Sequence, residues 1–131
     1  MAYKGQPVPS SVHNIGYGKI SDGKSVKVKV PESTKIEAGK FYLLGGFLGC
    51  AMQSVETGPG ETAEVILNIE QAEFETDQIE AANFYPGQDL FWGNGVFTVG
   101  PSDDPPVGRV TVGNVGNGES NVIRFILGPQ V

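Results

Sequence analysis

GKISDGKSVKVKVP, residues 18–31, carries two signals that demand different folds. Its first eight residues, Gly18 to Ser25, satisfy the phosphate-loop pattern G-x-x-x-x-G-K-[ST], which would make the chain a nucleotide-binding protein. Its last seven, SVKVKVP, alternate strictly, with Val26, Val28 and Val30 on one side and Lys27 and Lys29 on the other. A phosphate loop works because a helix follows it, and the helix N-terminus supplies the N–H groups and the dipole that hold the anion. On a helix these β-branched residues, spaced by two, would wind around the cylinder; on a strand they share one face. Pro31 then stops the run. SSVHNIGY, before the loop, is a poor buried strand, and no βαβ alternation follows. The match is therefore one of letters. The stretch reads as a tight hairpin turn at Asp22-Gly23, a dipeptide well suited to that role, followed by a half-buried strand. Lys24 becomes a surface charge.

The same period of two continues downstream. FYLLGGFLGCAMQSV reads as two strands around Gly45-Gly46, after a polar connection, ESTKIEAGK, with Ile36 as its one core candidate. ETGPGE is a loop. TAEVILNIEQAEFE puts Ala63, Val65, Leu67 and Ile69 on one face. Its phase shifts after Gln71, which predicts a bulge near Glu70-Gln71. TDQIEAANF is the one helix candidate, barely two turns, with Thr76 as N-cap. DLFWGNGVFTV turns at Asn94-Gly95, the dipeptide that type I′ hairpins favour because both central residues need positive φ. GRVTVGNVGNGESNVIRFIL is a further strand pair, turning near Asn117-Gly118. Roughly seven to nine short strands at about 8–12-residue spacing predict an all-β fold, a small antiparallel barrel or sandwich with at most one short helix.

A chain of 131 residues with 19 glycines and 9 prolines fits one turn-rich domain. Residues 1–18 have no period and read as an extended N-terminal arm; residues 19–131 read as a single β domain. MAYKGQPVPS has no apolar core, so no signal peptide is expected, and no run is long enough to predict a membrane span. The net charge of −6 is unevenly distributed. Residues 1–40 hold seven lysines against three acids, and residues 41–131 hold two arginines against twelve. An acidic body repels nucleic acid, so none is expected as a partner, whereas the basic end suits an acidic partner surface.

Chemistry is sparse. His13 and Cys50 are the sole histidine and cysteine, so no zinc cluster can be assembled from them, and Cys50 in FLGCAM reads as a small buried hydrophobe. Asp103 and Asp104 read as solvated loop acids. No serine elbow or marked carboxylate pair is present, so no catalytic residue, metal or cofactor is expected. Tyr85 and Trp92 flank turns and are the candidates for a sugar-stacking surface.

Four stretches remain as a pattern: VKVKVPESTKIEAGKFYLLGGFLGCAM, GETAEVILNIEQAEFE, YPGQDLFW and PVGRVTVGNVGNGESNVIRFIL. Their order from Gly23 to Gly128 resembles the capsid cement, or decoration, proteins of tailed bacteriophages. The resemblance covers about four-fifths of the chain and rests on the order and spacing of the motifs. It implies a barrel-like or tulip-like β domain without catalytic residues. It implies that the protein sits on the outer surface of the virion head, as a homotrimer bound to the major capsid protein, and bridges neighbouring capsomers. By position alone, the arm and its basic root supply the candidate capsid contacts: Tyr3, Lys4, Val8, Val12, Ile15, Tyr17, Lys19 and Lys24. The alternative is a head-surface protein that binds glycans or the host.

Overall fold

The computed structural model describes residues 18–115 and 121–130, and these form eleven strands and no helix. In chain order they are β1 Ser25–Val30, β2 Lys35–Ile36, β3 Phe41–Leu44, β4 Phe47–Ala51, β5 Val55–Glu56, β6 Ala63–Asn68, β7 Glu73–Thr76, β8 Asp89–Gly93, β9 Val96–Thr98, β10 Gly108–Val112 and β11 Ile123–Leu127. One sheet runs β1-β6-β4-β3, a second runs β7-β11-β10-β8-β9, and β2 pairs with β5. Every pairing between these strands is antiparallel. The fold is the all-β barrel or sandwich that the alternation predicts.

The valine strand behaves as its period requires. Val28 and Val30 are buried, Val26 is half-buried, and Lys27 and Lys29 are exposed. β1 lies against β6 with Val26 opposite Leu67 and Val28 opposite Val65, so the apolar faces of the two strands coincide. These residues form a first core with Ile36 and Ala51. A second core holds Phe41, Leu48, Phe84, Leu90, Phe97, Val110, Ile123, Phe125 and Leu127. Phe41, Phe97 and Phe125 meet there with ring centroids 4.6–5.4 Å apart, in tilted and edge-on contacts of the kind that add to simple burial.

The second sheet curls. After β7 the chain runs beside β9, where the Phe97 N–H donates to the Gln78 carbonyl at 2.8 Å and the Glu80 N–H donates to the Phe97 carbonyl at 3.1 Å. This parallel bridge at Ile79 wraps the sheet around the phenylalanine cluster. The β3–β4 hairpin joins the two cores. Phe41, Leu48 and Cys50 face the second, while Tyr42, Leu44, Phe47 and Ala51 face the first. Its turn has Gly45 at φ 58° and Gly46 at φ 88°, and the β8–β9 turn has Asn94 at 53° and Gly95 at 78°. Both are the positive-φ pairs that two-residue hairpins need.

Four expectations change. Residues 62–75 are not one bulged strand: β6 belongs to the first sheet and β7 to the second, and the phase shift at Glu70-Gln71 marks the crossing. The helix over 76–84 does not form. Thr76 ends β7 and is buried, its hydroxyl accepts the Gln78 N–H at 3.0 Å, and the next residues are extended along β9. An isolated two-turn helix is unstable, and burying Phe84 and pairing with β9 outweigh it. Asp22-Gly23 is a bend and not a hairpin turn, because the described residues before it form no strand; Gly23 has φ 68° and donates its N–H to the Ser21 hydroxyl at 3.1 Å. Cys50 is half-buried instead of fully buried, and desolvation raises its thiol pKa. The turn expected near Asn117-Gly118 lies outside the described residues.

Candidate functional site

Of the candidate contacts, Tyr3, Lys4, Val8, Val12, Ile15 and Tyr17 lie outside the described residues. Lys19 and Lys24 are exposed, and each already faces a carboxylate: Lys19 Nζ is 2.6 Å from Asp22 Oδ1, and Lys24 Nζ is 3.7 Å from Glu70 Oε2. Asp22, Gly23 and Lys24 line one wall of an open cleft of about 500 Å³, with Ile69, Glu70 and Gln71 opposite and Pro129 and Gln130 at its end. Three segments meet here: the bend before β1, the crossing from β6 to β7, and the tail after β11.

The cleft lacks what a phosphate site needs. Ser25–Val30 is a strand, so no helix N-terminus points into the cleft, and Asp22 and Glu70 add negative charge where an anion would sit. Nucleotide chemistry at GKISDGKS is thereby excluded by both backbone and charge.

Among the described residues the basic and acidic sections of the sequence meet in ion pairs. Lys24 and Lys40, from the basic section, pair with Glu70 and Asp77 from the acidic one. Lys40 Nζ lies 2.7 Å from Asp77 Oδ1; that hydrogen bond raises the lysine pKa and holds the Asp77 carboxyl below its ordinary range. Lys35 lies 3.8 Å from Glu37. Lys27 and Lys29, on the exposed face of β1, have no carboxylate partner among the described residues.

The sugar-stacking pair is not assembled. Trp92 lies near the far end of β8 and turns inward onto Phe97, with ring centroids 4.9 Å apart. Tyr85 is exposed in the turn before β8, where its N–H donates to Gln88 Oε1 at 2.8 Å. Among the described residues no three histidine, cysteine or acidic side chains gather as a metal cluster. Asp103 and Asp104 are exposed in their loop, as expected.

Sequence reasoning missed two glutamines. Gln78 accepts the Phe41 N–H at 2.6 Å and donates to the Phe41 carbonyl at 3.0 Å. Gln130 does the same for Leu48, accepting at 3.0 Å and donating at 3.1 Å. Each side-chain amide imitates a neighbouring peptide where β3 or β4 lacks one, and each ties the first sheet to a segment of the second. A loop glutamine carries no sequence mark of this role.

No family model matches the chain, and no curated protein matches it. Among solved structures, the chain is similar to the N base of the head fiber gp8.5 of bacteriophage phi29, with a TM-score of 0.46 and 12% identity over 79% of this chain and 94% of that one. An overlap at this level does not carry a function from one protein to the other.

Proposed function

We propose that this protein is a non-enzymatic capsid decoration protein that binds the outside of an icosahedral phage head and reinforces contacts between major capsid protein capsomers. The observation that carries the reading is the ordered resemblance from Gly23 to Gly128. Each quoted stretch of it contains one or more strands: β1 to β4, then β6 and β7, then β8, then β10 with β11. Among the described residues such a body offers surface and no metal cluster. Cementing demands many modest contacts repeated over a shell, so that avidity makes weak individual contacts effective. Residues 1–18 are the proposed contact segment. Lys19 and Lys24, exposed at the root of that segment, are proposed as further contacts; Lys24 also ties the root to the body through Glu70, whereas the Lys19 pair with Asp22 is local.

The test is co-sedimentation with expanded empty shells of the major capsid protein that this chain is proposed to bind. The full chain is expected to bind saturably, and a variant lacking residues 2–17 to bind at least about tenfold more weakly, since losing one of several linked contacts costs avidity. Equal binding by the two would refute the role of the arm. Failure of the full chain to bind would refute the function.

A further inference from the structure

We propose that copies of this chain join head to tail through two open sheet edges, β1 of one copy adding to β7 of the next. Among the described residues each strand is hydrogen-bonded on one side only, β1 to β6 and β7 to β11. The register shows which backbone groups face outward. The Ile69 N–H donates to the Lys24 carbonyl at 3.0 Å, in phase with the pairing of Val26 to Leu67 and Val28 to Val65. Bonded and non-bonded pairs alternate in an antiparallel ladder, so Val26, Val28 and Val30 bond to β6, and Lys27 and Lys29 turn their N–H and C=O groups to the open side. At β7, the Leu127 N–H donates to the Ala72 carbonyl at 3.1 Å, in phase with Phe74 opposite Phe125 and Thr76 opposite Ile123. Glu73 and Glu75 therefore present the outward groups of that edge.

Charge chooses the partner. Two β1 edges brought together would set lysine against lysine, and two β7 edges glutamate against glutamate; like charges directly opposite are destabilising. Such charges usually keep edges apart. β1 against β7 is the combination they do not forbid. Antiparallel, it pairs Lys27 with Glu75 and Lys29 with Glu73, all four exposed. It also continues the outer face of one sheet into the outer face of the next, and on the inner face it sets buried Val28 opposite half-buried Phe74. Glu75 also meets Arg124 at 3.3 Å, and Glu73 accepts a hydrogen bond from the Thr111 hydroxyl at 2.6 Å. A carboxylate has lone pairs enough to accept a second cation. Each copy carries one edge of each kind, so the contact is heterologous and yields a closed ring or a running filament. This inference stands independently of the capsid reading.

The experiment is sedimentation velocity of the full chain from about 10 to 1,000 µM, the range in which a small interface associates. Wild type is expected to self-associate, less so in high salt. K27E/K29E is expected to raise the dissociation constant at least about tenfold. Lys27→Pro is expected to do the same while its thermal midpoint holds, because the N–H it removes serves no bond to β6. The exchange K27E/K29E/E73K/E75K is expected to restore association. A wild type that stays monomeric throughout overturns the proposal. So does association that survives both K27E/K29E and Lys27→Pro, or a folded fourfold variant that remains monomeric. Should the fourfold variant not fold beside Arg124, the two β1 variants decide.

Discussion

Replacing Gln78 by methionine tests the clamp between the two sheets directly. Methionine keeps the length and approximate volume of the side chain and removes both bonds to Phe41, at 2.6 and 3.0 Å. Phe41 is only 1% exposed, so its N–H and C=O lose their partners where water cannot replace them. Each stranded group costs about 1–3 kcal/mol, which gives a loss of about 2–6 kcal/mol for the pair. For a chain of this length each kcal/mol moves the thermal midpoint by roughly 3–5 °C, so a fall of about 6 °C or more is expected. Gln78→Ala, which leaves room for water, is expected to lose less. Gln78→Glu adds a signature. Its carboxylate accepts the Phe41 N–H but sets a negative oxygen against the Phe41 carbonyl, whereas the protonated acid donates as glutamine does. The folded pKa of that glutamate is thus raised above the unfolded value of about 4.3. The variant is nearest to wild type below pH ~4 and falls behind as pH rises through the raised value. Urea unfolding across pH measures both effects. A Gln78→Met loss below about 0.5 kcal/mol, or a Gln78→Glu deficit that does not change with pH, would refute the clamp.

Three further outcomes follow from the geometry. Gly49→Ala places a Cβ 2.8 Å from the Asn68 carbonyl and 2.9 Å from Leu67 Cβ, so β4 and β6 must separate; a loss of about 1–3 kcal/mol is expected in denaturant titration. Asp77→Asn is expected to shift the thermal midpoint by no more than about 2 °C at neutral pH, because the Asp77 side chain is 56% exposed. Since the Asp77 pKa is depressed, its contribution is present above the unfolded value of about 3.9 and disappears as pH falls through the folded one; raised Lys40 loses its share as pH rises through its own folded value. Isothermal titration with ATP and magnesium is expected to give no binding heat, for wild type and for Lys24→Ala alike; saturable heat lost in the variant would revive the phosphate-loop reading.

The strands were legible because alternation has one interpretation on a half-buried sheet. SVKVKVP, FYLLGGFLGCA and DLFWGNGVFT fold as read, and their positive-φ turns fall at Gly45-Gly46 and Asn94-Gly95. Sheet membership was not legible. Ala63 to Phe74 shows only a change of phase, and either a bulge or a crossing between two cores produces that. The helix expected over 76–84 failed because acids and a cap at its start are local signals, while the burial of Phe84 and the pairing of Gln78 and Glu80 with Phe97 are distant ones. Of the candidate contacts only Lys19 and Lys24 fall within the described residues; the Lys19 pair with Asp22 is local, whereas the Lys24 pair with Glu70 joins segments no spacing rule connects.

The hairpin of β3 and β4 gives one face to each core, with Phe41 and Leu48 on one side and Tyr42, Leu44 and Phe47 on the other. Loss of this ribbon would open both cores at once. The two cores are therefore expected to unfold together, and residues 41–51 couple one sheet to the other. Hydrogen exchange is expected to find the slowest amides in this ribbon, the keel of the molecule.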